Sequence, residues 1–277
     1  MVRPAFPASG YAVFYLQVSQ ATIGELYLEA ESRTYRPVFR EVGGAEDDMF
    51  RSQSRVQRMK PPLRRVSAAI LEDAATRDSN YRPCVFSYMH SRPGGLYQEP
   101  HQDYADEVRA AVHARYPGSI PASVIIAIQP GTRLRLFPRC FDFARPEMEI
   151  ELEIPTGYAV VFRGDLFHSG VGYTTSNYRL HCYLFFRDLG WRPDVVSNSL
   201  LVCQYCGRTE RVSARIRQHR YFCLQNPDGL AHRIGRREQQ NRRGEYPCNY
   251  CSQVFEVQST LRSHILAQHG STSSQNV

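Results

Sequence analysis

The sequence predicts a mainly β domain with flanking helices, followed by two small ββα modules, and three observations carry that expectation. Residues 11 to about 192 alternate short apolar runs with Gly and Pro breaks, the pattern of many short strands. Five of the eight cysteines crowd the last quarter of the chain, in pairs followed by histidines. That quarter also has its own charge. Residues 200 to 277 hold 11 basic and 5 acidic groups, against 23 and 22 in the residues before them, so nearly all of the net +7 sits where a polyanion would meet it.

Composition limits the alternatives. At 277 residues and 42% hydrophobic the chain is globular with room for more than one domain, which excludes a disordered, collagen-like or purely helical-repeat protein. No apolar run approaches the roughly 18 residues that cross a bilayer, so no membrane span is expected. Met1 to Gly10 has one Arg, two prolines and no sustained apolar stretch, and an intracellular setting is therefore expected. The basic residues are all Arg except Lys60. Arg binds phosphate bidentately, but a biased genome composition gives the same usage, and this feature alone leaves both readings open.

The clearest strands are Tyr11 to Val18, Cys84 to His90, Ser123 to Ile128, Leu134 to Phe137, Met148 to Ile154, Tyr158 to Phe162 and Tyr178 to Arg187. Helices are expected around Val66 to Thr76 and from Ala105 to Arg115, the second with acidic groups at its start from Asp103 to Asp106. Glu147, Glu149, Glu151 and Glu153 alternate with Met148, Ile150, Leu152 and Ile154, which reads as a solvated strand face. Glu46 to Asp48 reads as a charged turn, and Cys84, Cys140 and Cys182 read as core thiols. Gly190 to Ser199 is the expected domain boundary. The resulting plan has flanking strands and a helix over 1–80, a β core over 81–192 and a first Cys/His module over 193–226. A basic linker over 227–245, a second module over 246–270 and a disordered tail over 271–277 complete it.

From Cys248 the chain runs C-x2-C-x12-H-x4-H through Cys248, Cys251, His264 and His269. Zinc takes four tetrahedral N or S ligands, and this spacing supplies two from a hairpin knuckle and two from successive turns of one helix. Phe255 and Leu261 fall where a minimal core must pack beneath the metal. Residues 246 to 269 closely resemble the two-Cys two-His zinc-finger family. An earlier copy, Cys203, Cys206, His219 and Cys223, keeps twelve residues between its inner ligands and ends in Cys, still a closed zinc set. Glu210 stands at its Phe position and Ile216 at its Leu position, while Tyr205 and Tyr250 mark both copies. Two zinc ions are expected.

The finger resemblance implies base-reading positions at Val257, Thr260 and Ser263 in the second module and at Val212, Arg215 and Gln218 in the first. None of the first three can make the bidentate guanine contact of Arg, so Arg215 and Gln218 are the candidate readers. Leu224 to Pro247 is far longer than the short linker of tandem fingers, which argues against tracking of a long site. It carries Arg233, Arg236, Arg237, Arg242 and Arg243, which suit phosphate neutralisation, nuclear import or plain solvation of a loop. Arg236 and Arg237 join Arg215 and Gln218 as candidate nucleic-acid contacts, and the nucleus is favoured over the cytoplasm. DNA, RNA and a protein all stay open as the partner.

Within the β domain, Pro100-His101-Gln102-Asp103 places a His and an Asp two apart at a strand end, where period-two geometry points both the same way. H-x-D alone is a weak signal. His168, between two strand signals, completes a two-His-one-carboxylate face that leaves about three positions open on Fe(II). On the next strand Asn177, Arg179, His181 and Tyr183 share a face, and a buried Arg there is costly unless it meets an anion.

With the runs Ser91 to Gly95 and Ser123 to Pro138, these elements make residues 84 to 187 resemble the Fe(II)/2-oxoglutarate-dependent dioxygenases, whose fold is a double-stranded β-helix or jelly roll. The resemblance implies iron on His101, Asp103 and His168, and 2-oxoglutarate held by its distal carboxylate on Arg179, with His181 on the same cofactor side. It implies oxidative decarboxylation of 2-oxoglutarate to succinate, coupled to hydroxylation or demethylation of a nucleic acid or protein substrate. Some branches carry Arg-x-Ser where this chain has Arg179-x-His181. That leaves the second cosubstrate contact open, with Tyr88 and Tyr158 as further candidates. Loops within residues 20 to 80 and 104 to 122 are expected to choose the substrate. The competing readings are a silent lectin-like or cupin-like barrel on a non-catalytic zinc-finger binding protein, another cupin chemistry, and an oxygenase of a small metabolite.

Overall fold

A computed structural model of the chain describes residues 6–38, 48–191, 193, 197–198, 201–203, 205–210, 213–227, 244–248 and 250–269. Residues up to Val202 with Thr209–Ser213 make one compact unit, and Cys203–Arg208 with the residues from Ala214 onward make a second. Among the described residues no helix is long and apolar enough to cross a membrane.

The first unit contains two antiparallel sheets. The larger has seven strands in the order β1 (Tyr11–Tyr15), β9 (Tyr158–Arg163), β6 (Ala122–Ala127), β11 (Asn177–Phe186), β4 (Tyr81–Ser91), β3 (Asp48–Arg55) and β2 (Arg36–Val38). The smaller has five, in the order β12 (Ser197–Asn198), β5 (His101–Gln102), β10 (His168–Ser169), β7 (Thr132–Leu136) and β8 (Ile150–Ile154). Ile125, Ala127, Val160 and Phe162 of the larger sheet pack on Leu134, Leu136 and Ile154 of the smaller, which makes the interior of a jelly roll. Alternate residues of the larger sheet, including Phe86, Tyr88, Val124, Ile126, Leu180 and Leu184, face outward into a second core with the helices.

Three helices cover that outer face: α1 (Gln20–Ser32), α2 (Pro61–Arg77) and α3 (Asp106–Arg115). Ser19 caps α1 by accepting from the Thr22 N–H at 3.2 Å. Pro61 and Pro62 open α2, where their missing N–H groups cost nothing. Sequence patterning misses α1, β2 and β3. The buried stripe of α1 is narrow, resting on Ile23, Leu26 and Ala30, and β3 is mostly polar.

Two strand ends differ from expectation for local reasons. β1 stops at Tyr15 because Gln17 turns to φ 55°, and Leu16 instead donates its N–H to Gly157. β8 begins at Ile150 because Pro146–Met148 form a 3-10 turn. Its acidic face is not simply solvated: Glu149 pairs with Arg135 and Glu151 with Arg133 on the neighbouring β7. Asp48, expected in a charged turn, is the buried first residue of β3, while Glu46 lies outside the described residues.

Where β4 pairs with β11 the register shifts between His181 and Tyr183, and β4 takes up an extra residue with Val85 at φ 54°. A β-branched side chain in the left-handed region is strained, so the bulge is held by its surroundings rather than by its own preference. It bends the ladder directly beside His181.

Ile70 of α2 is 1% exposed within the outer core. Its truncation to Ala should cost about 2 to 5 kcal/mol of unfolding free energy, read from the urea midpoint at unchanged slope.

Candidate active site

The register of two very short strands brings the first cluster together. His168 on β10 is the Cα partner of His101 on β5, so both rings leave the same face, with centroids 4.6 Å apart. Asp103 follows two residues after His101, and ligand atoms of His101, Asp103 and His168 all lie within 4.8 Å of one another. All three are buried.

Backbone carbonyls fix how the imidazoles present themselves. His101 Nδ1 is 2.9 Å from the Glu99 carbonyl and His168 Nδ1 is 3.0 Å from the Leu166 carbonyl. A carbonyl only accepts, so each Nδ1 carries a proton and each Nε2 is left as the ligand atom, the arrangement metal-binding histidines need. Burial, then the neighbouring His168, pulls the His101 pKa down to about 4, which keeps its ring neutral. Burial lowers His168 as well, but Asp103, 3.3 Å from its Nε2, outweighs that and raises it. Burial pushes the Asp103 carboxyl up, and His168 and His181 overcome it, holding the group well below the usual carboxylate range. Asp103 Oδ2 is buried with no hydrogen bond. A buried carboxylate beside two imidazoles oriented by backbone carbonyls fits a divalent cation.

Gln102, between His101 and Asp103, is a residue that sequence reasoning passed over. Its Nε2 donates to the Phe141 and Asp165 carbonyls, and its Oε1 accepts from Arg109 at 2.9 Å. With every polar atom used, it pins β5 from the face opposite the ligands.

Arg179 sits two strand steps from His181 on the inner face of β11 and is 6% exposed. Its Nη1 donates to Ser91 Oγ at 3.0 Å and its guanidinium lies 5.6 Å from the Tyr173 ring centroid. Among the described residues no carboxylate is within ion-pair distance. Burial pulls its pKa down from the usual value, which the nearby Tyr173 partly opposes. Asn177 faces the same interior, with Nδ2 on Thr132 Oγ1 at 3.3 Å and Oδ1 buried and unbonded.

His181, expected on the cofactor side, lies beside Asp103. Its Nε2 lies 3.5 Å from Asp103 Oδ2, so it serves the carboxylate of the cluster. Tyr88 is ruled out as a partner of Arg179 because it is the register partner of Leu180 and lies in the outer core. Tyr158 is also turned away, partly exposed against Tyr15.

Two further clusters lie in the second unit, Cys203 with Cys206, His219 and Cys223, and Cys248 with Cys251, His264 and His269, each with its ligand atoms within 4.8 Å. In both, the first Cys donates its N–H to the residue five further on, Cys203 to Arg208 and Cys248 to Gln253, both at 2.8 Å. The later ligands sit on or just beyond helices α4 (Ser213–Phe222) and α5 (Gln258–His269). Hairpin β13 (Tyr246–Pro247) and β14 (Val254–Phe255) brings Phe255 to 4.8 Å from the His264 ring. Gln218 is exposed on α4, Arg215 lies on the same helix, and Arg236 and Arg237 lie outside the described residues.

No protein-family profile matches the sequence, and no curated protein matches it. Solved structures do. The chain is similar to the non-heme alpha ketoglutarate dependent epimerase SnoN from nogalamycin biosynthesis, at 12% identity and TM-score 0.52 over 68% of this chain and 82% of that one. It is similar to HygX from Streptomyces hygroscopicus, solved with nickel and 2-oxoglutarate bound, at 8% identity and TM-score 0.51 over 67% and 86%. AviO1 from Streptomyces viridochromogenes Tue57 matches at 14% identity and TM-score 0.50 over 67% and 93%. At such identities the likeness establishes the fold.

The contact between His181 and Asp103 gives a specific prediction for metal binding at the triad. His181→Ala should weaken Mn(II) binding by roughly tenfold in calorimetric titration, and His181→Asn, which keeps an N–H donor, should recover part of the loss.

Proposed function

We propose that the chain is an Fe(II)/2-oxoglutarate-dependent oxygenase whose Cys/His modules hold two zinc ions and bring it to a nucleic acid or protein substrate. One observation carries the reading: a triad of two oriented imidazoles and a buried carboxylate shares the jelly-roll interior with a buried arginine that has no carboxylate within ion-pair distance among the described residues. Iron on His101, Asp103 and His168 would supply the activation of dioxygen at the expense of 2-oxoglutarate. The residues of the chain do the rest. Arg179 receives the distal carboxylate of the cosubstrate as a charge-assisted pair, and Ser91, already on its Nη1, offers the hydroxyl that the Arg179-x-His181 sequence lacks. His181 holds Asp103 by its second oxygen, and the buried walls exclude bulk water.

The zinc reading rests on the two four-residue clusters, whose ligand sets and hairpin-to-helix placement suit a closed tetrahedral site. The basic stretch from Arg233 to Arg243 supports a polyanionic partner and a nuclear setting.

Anaerobic addition of Fe(II) and 2-oxoglutarate should give a visible metal-to-oxo-acid charge-transfer band. Arg179→Ala should weaken 2-oxoglutarate binding by about a hundredfold in the same titration, the size expected for losing one side of a buried charge pair. His168→Ala should abolish the band while elemental analysis still finds two zinc ions per chain. Absence of a band in the wild type, with zinc bound, would make the chain a binding protein on a silent barrel.

A further inference from the structure

Three buried polar side chains outside the triad tie together the two segments that deliver its histidines. Asp48 and Arg51 stand on β3, with side chains 6% and 5% exposed, and pair at 2.7 Å. Arg51 Nη2 donates to the Val171 carbonyl at 2.7 Å and also to the Leu96 carbonyl. Gln98 donates from Nε2 to Asp48 Oδ2 at 3.3 Å, and its Oε1 accepts the Gly170 N–H at 3.0 Å. The Gln98 N–H donates in turn to the Gly170 carbonyl at 3.0 Å. Leu96 and Gln98 lie just before His101, and Gly170 and Val171 lie just after His168. A single ion pair on β3 therefore grips the approach to one ligand and the departure from the other.

The grip matters because the direct pairing between the two strands is short. β5 and β10 are two residues long and share one Cα register pair, His168 with His101. The gripped segments are also packed without room for adjustment. A Cβ on Gly170 would overlap Gln98 Oε1 and stand 3.0 Å from Arg51 Nε, and one on Gly172 would overlap the Gly95 carbonyl. Gly94 adds an N–H to the Tyr173 carbonyl at 3.0 Å.

A buried ion pair is a poor source of stability, since desolvation consumes most of the attraction. Directional hydrogen bonds from a planar guanidinium and a carboxamide do fix geometry, which apolar packing of equal volume does not. We infer that Asp48, Arg51 and Gln98 are positioning residues that set the separation and orientation of His101 and His168, and so the affinity of the metal site. The inference rests on the iron reading above.

The test compares full-length variants with Fe(II) as the probe, under anaerobic conditions. Arg51→Lys keeps a cation against Asp48 but not the fork that reaches the Val171 and Leu96 carbonyls. The double variant Asp48→Asn with Arg51→Met removes both charges together and should keep the wild-type unfolding midpoint. Both should bind Fe(II) roughly tenfold more weakly and show a changed rhombicity in the electron paramagnetic spectrum of the nitrosyl adduct. Wild-type Fe(II) affinity and an unchanged nitrosyl spectrum in both variants would overturn the inference and leave the network a fold element. If the wild type binds no Fe(II), the iron reading itself fails and the inference with it.

Discussion

Asp103 keeps its charge at 6% exposure, and a carboxylate taken out of water has to be held there by cations or hydrogen bonds. Among the described residues the ion-pair partners in reach are His168 at 3.3 Å and His181 at 3.5 Å, from different strands. That requirement organises the interior. β10 must run beside β5 to bring His168, β11 must present its inner face to bring His181, and the Val85 bulge bends β4 where it passes His181. The side of Asp103 that raises the His168 pKa marks the place where a metal cation would balance the same carboxylate.

Of the three arginines buried among the described residues of this domain, Arg51 and Arg179 are treated in opposite ways. Arg51 is neutralised in place by Asp48 and spends its second nitrogen on backbone carbonyls. Arg179, facing Ser91 and two strands away from β3, has a hydroxyl and an aromatic face but no anion among the described residues. A charge that the fold compensates belongs to the fold. One that it leaves with neutral partners is suited to a diffusible carboxylate.

Much of this was legible in the sequence because period-two alternation is a property of the chain alone. It put His101 with Asp103, and Asn177 with Arg179 and His181, on shared faces, and it found the central strands. It could not say what meets those faces. His181 read as a cofactor contact because its neighbour Arg179 did, whereas its partner arrives from β5. Asp48 read as a turn because DMFRSQSR has almost no hydrophobic signal, and only pairing with β4 reveals it as a strand carrying buried charge. Gln102 and Gln98 left no trace, since amides that bond to backbone carbonyls and N–H groups have no sequence pattern to betray them. The Cys/His modules stand at the other extreme, where ligand spacing is itself the signal.

The stretch that reads as a domain boundary contains β12, whose Ser197 and Asn198 pair with Gln102 and His101. Ladder pairing is made by the backbone, so almost any side chains would serve at these two positions. Trp191, packed on Tyr104, Tyr183 and Phe185, fixes the chain a few residues upstream, and Cys203 begins the first module a few residues downstream. The pairing thus constrains the length of this connector more than its letters. Substitutions could accumulate until the segment looked like filler, while a one-residue deletion would change which backbone groups lie alongside His101.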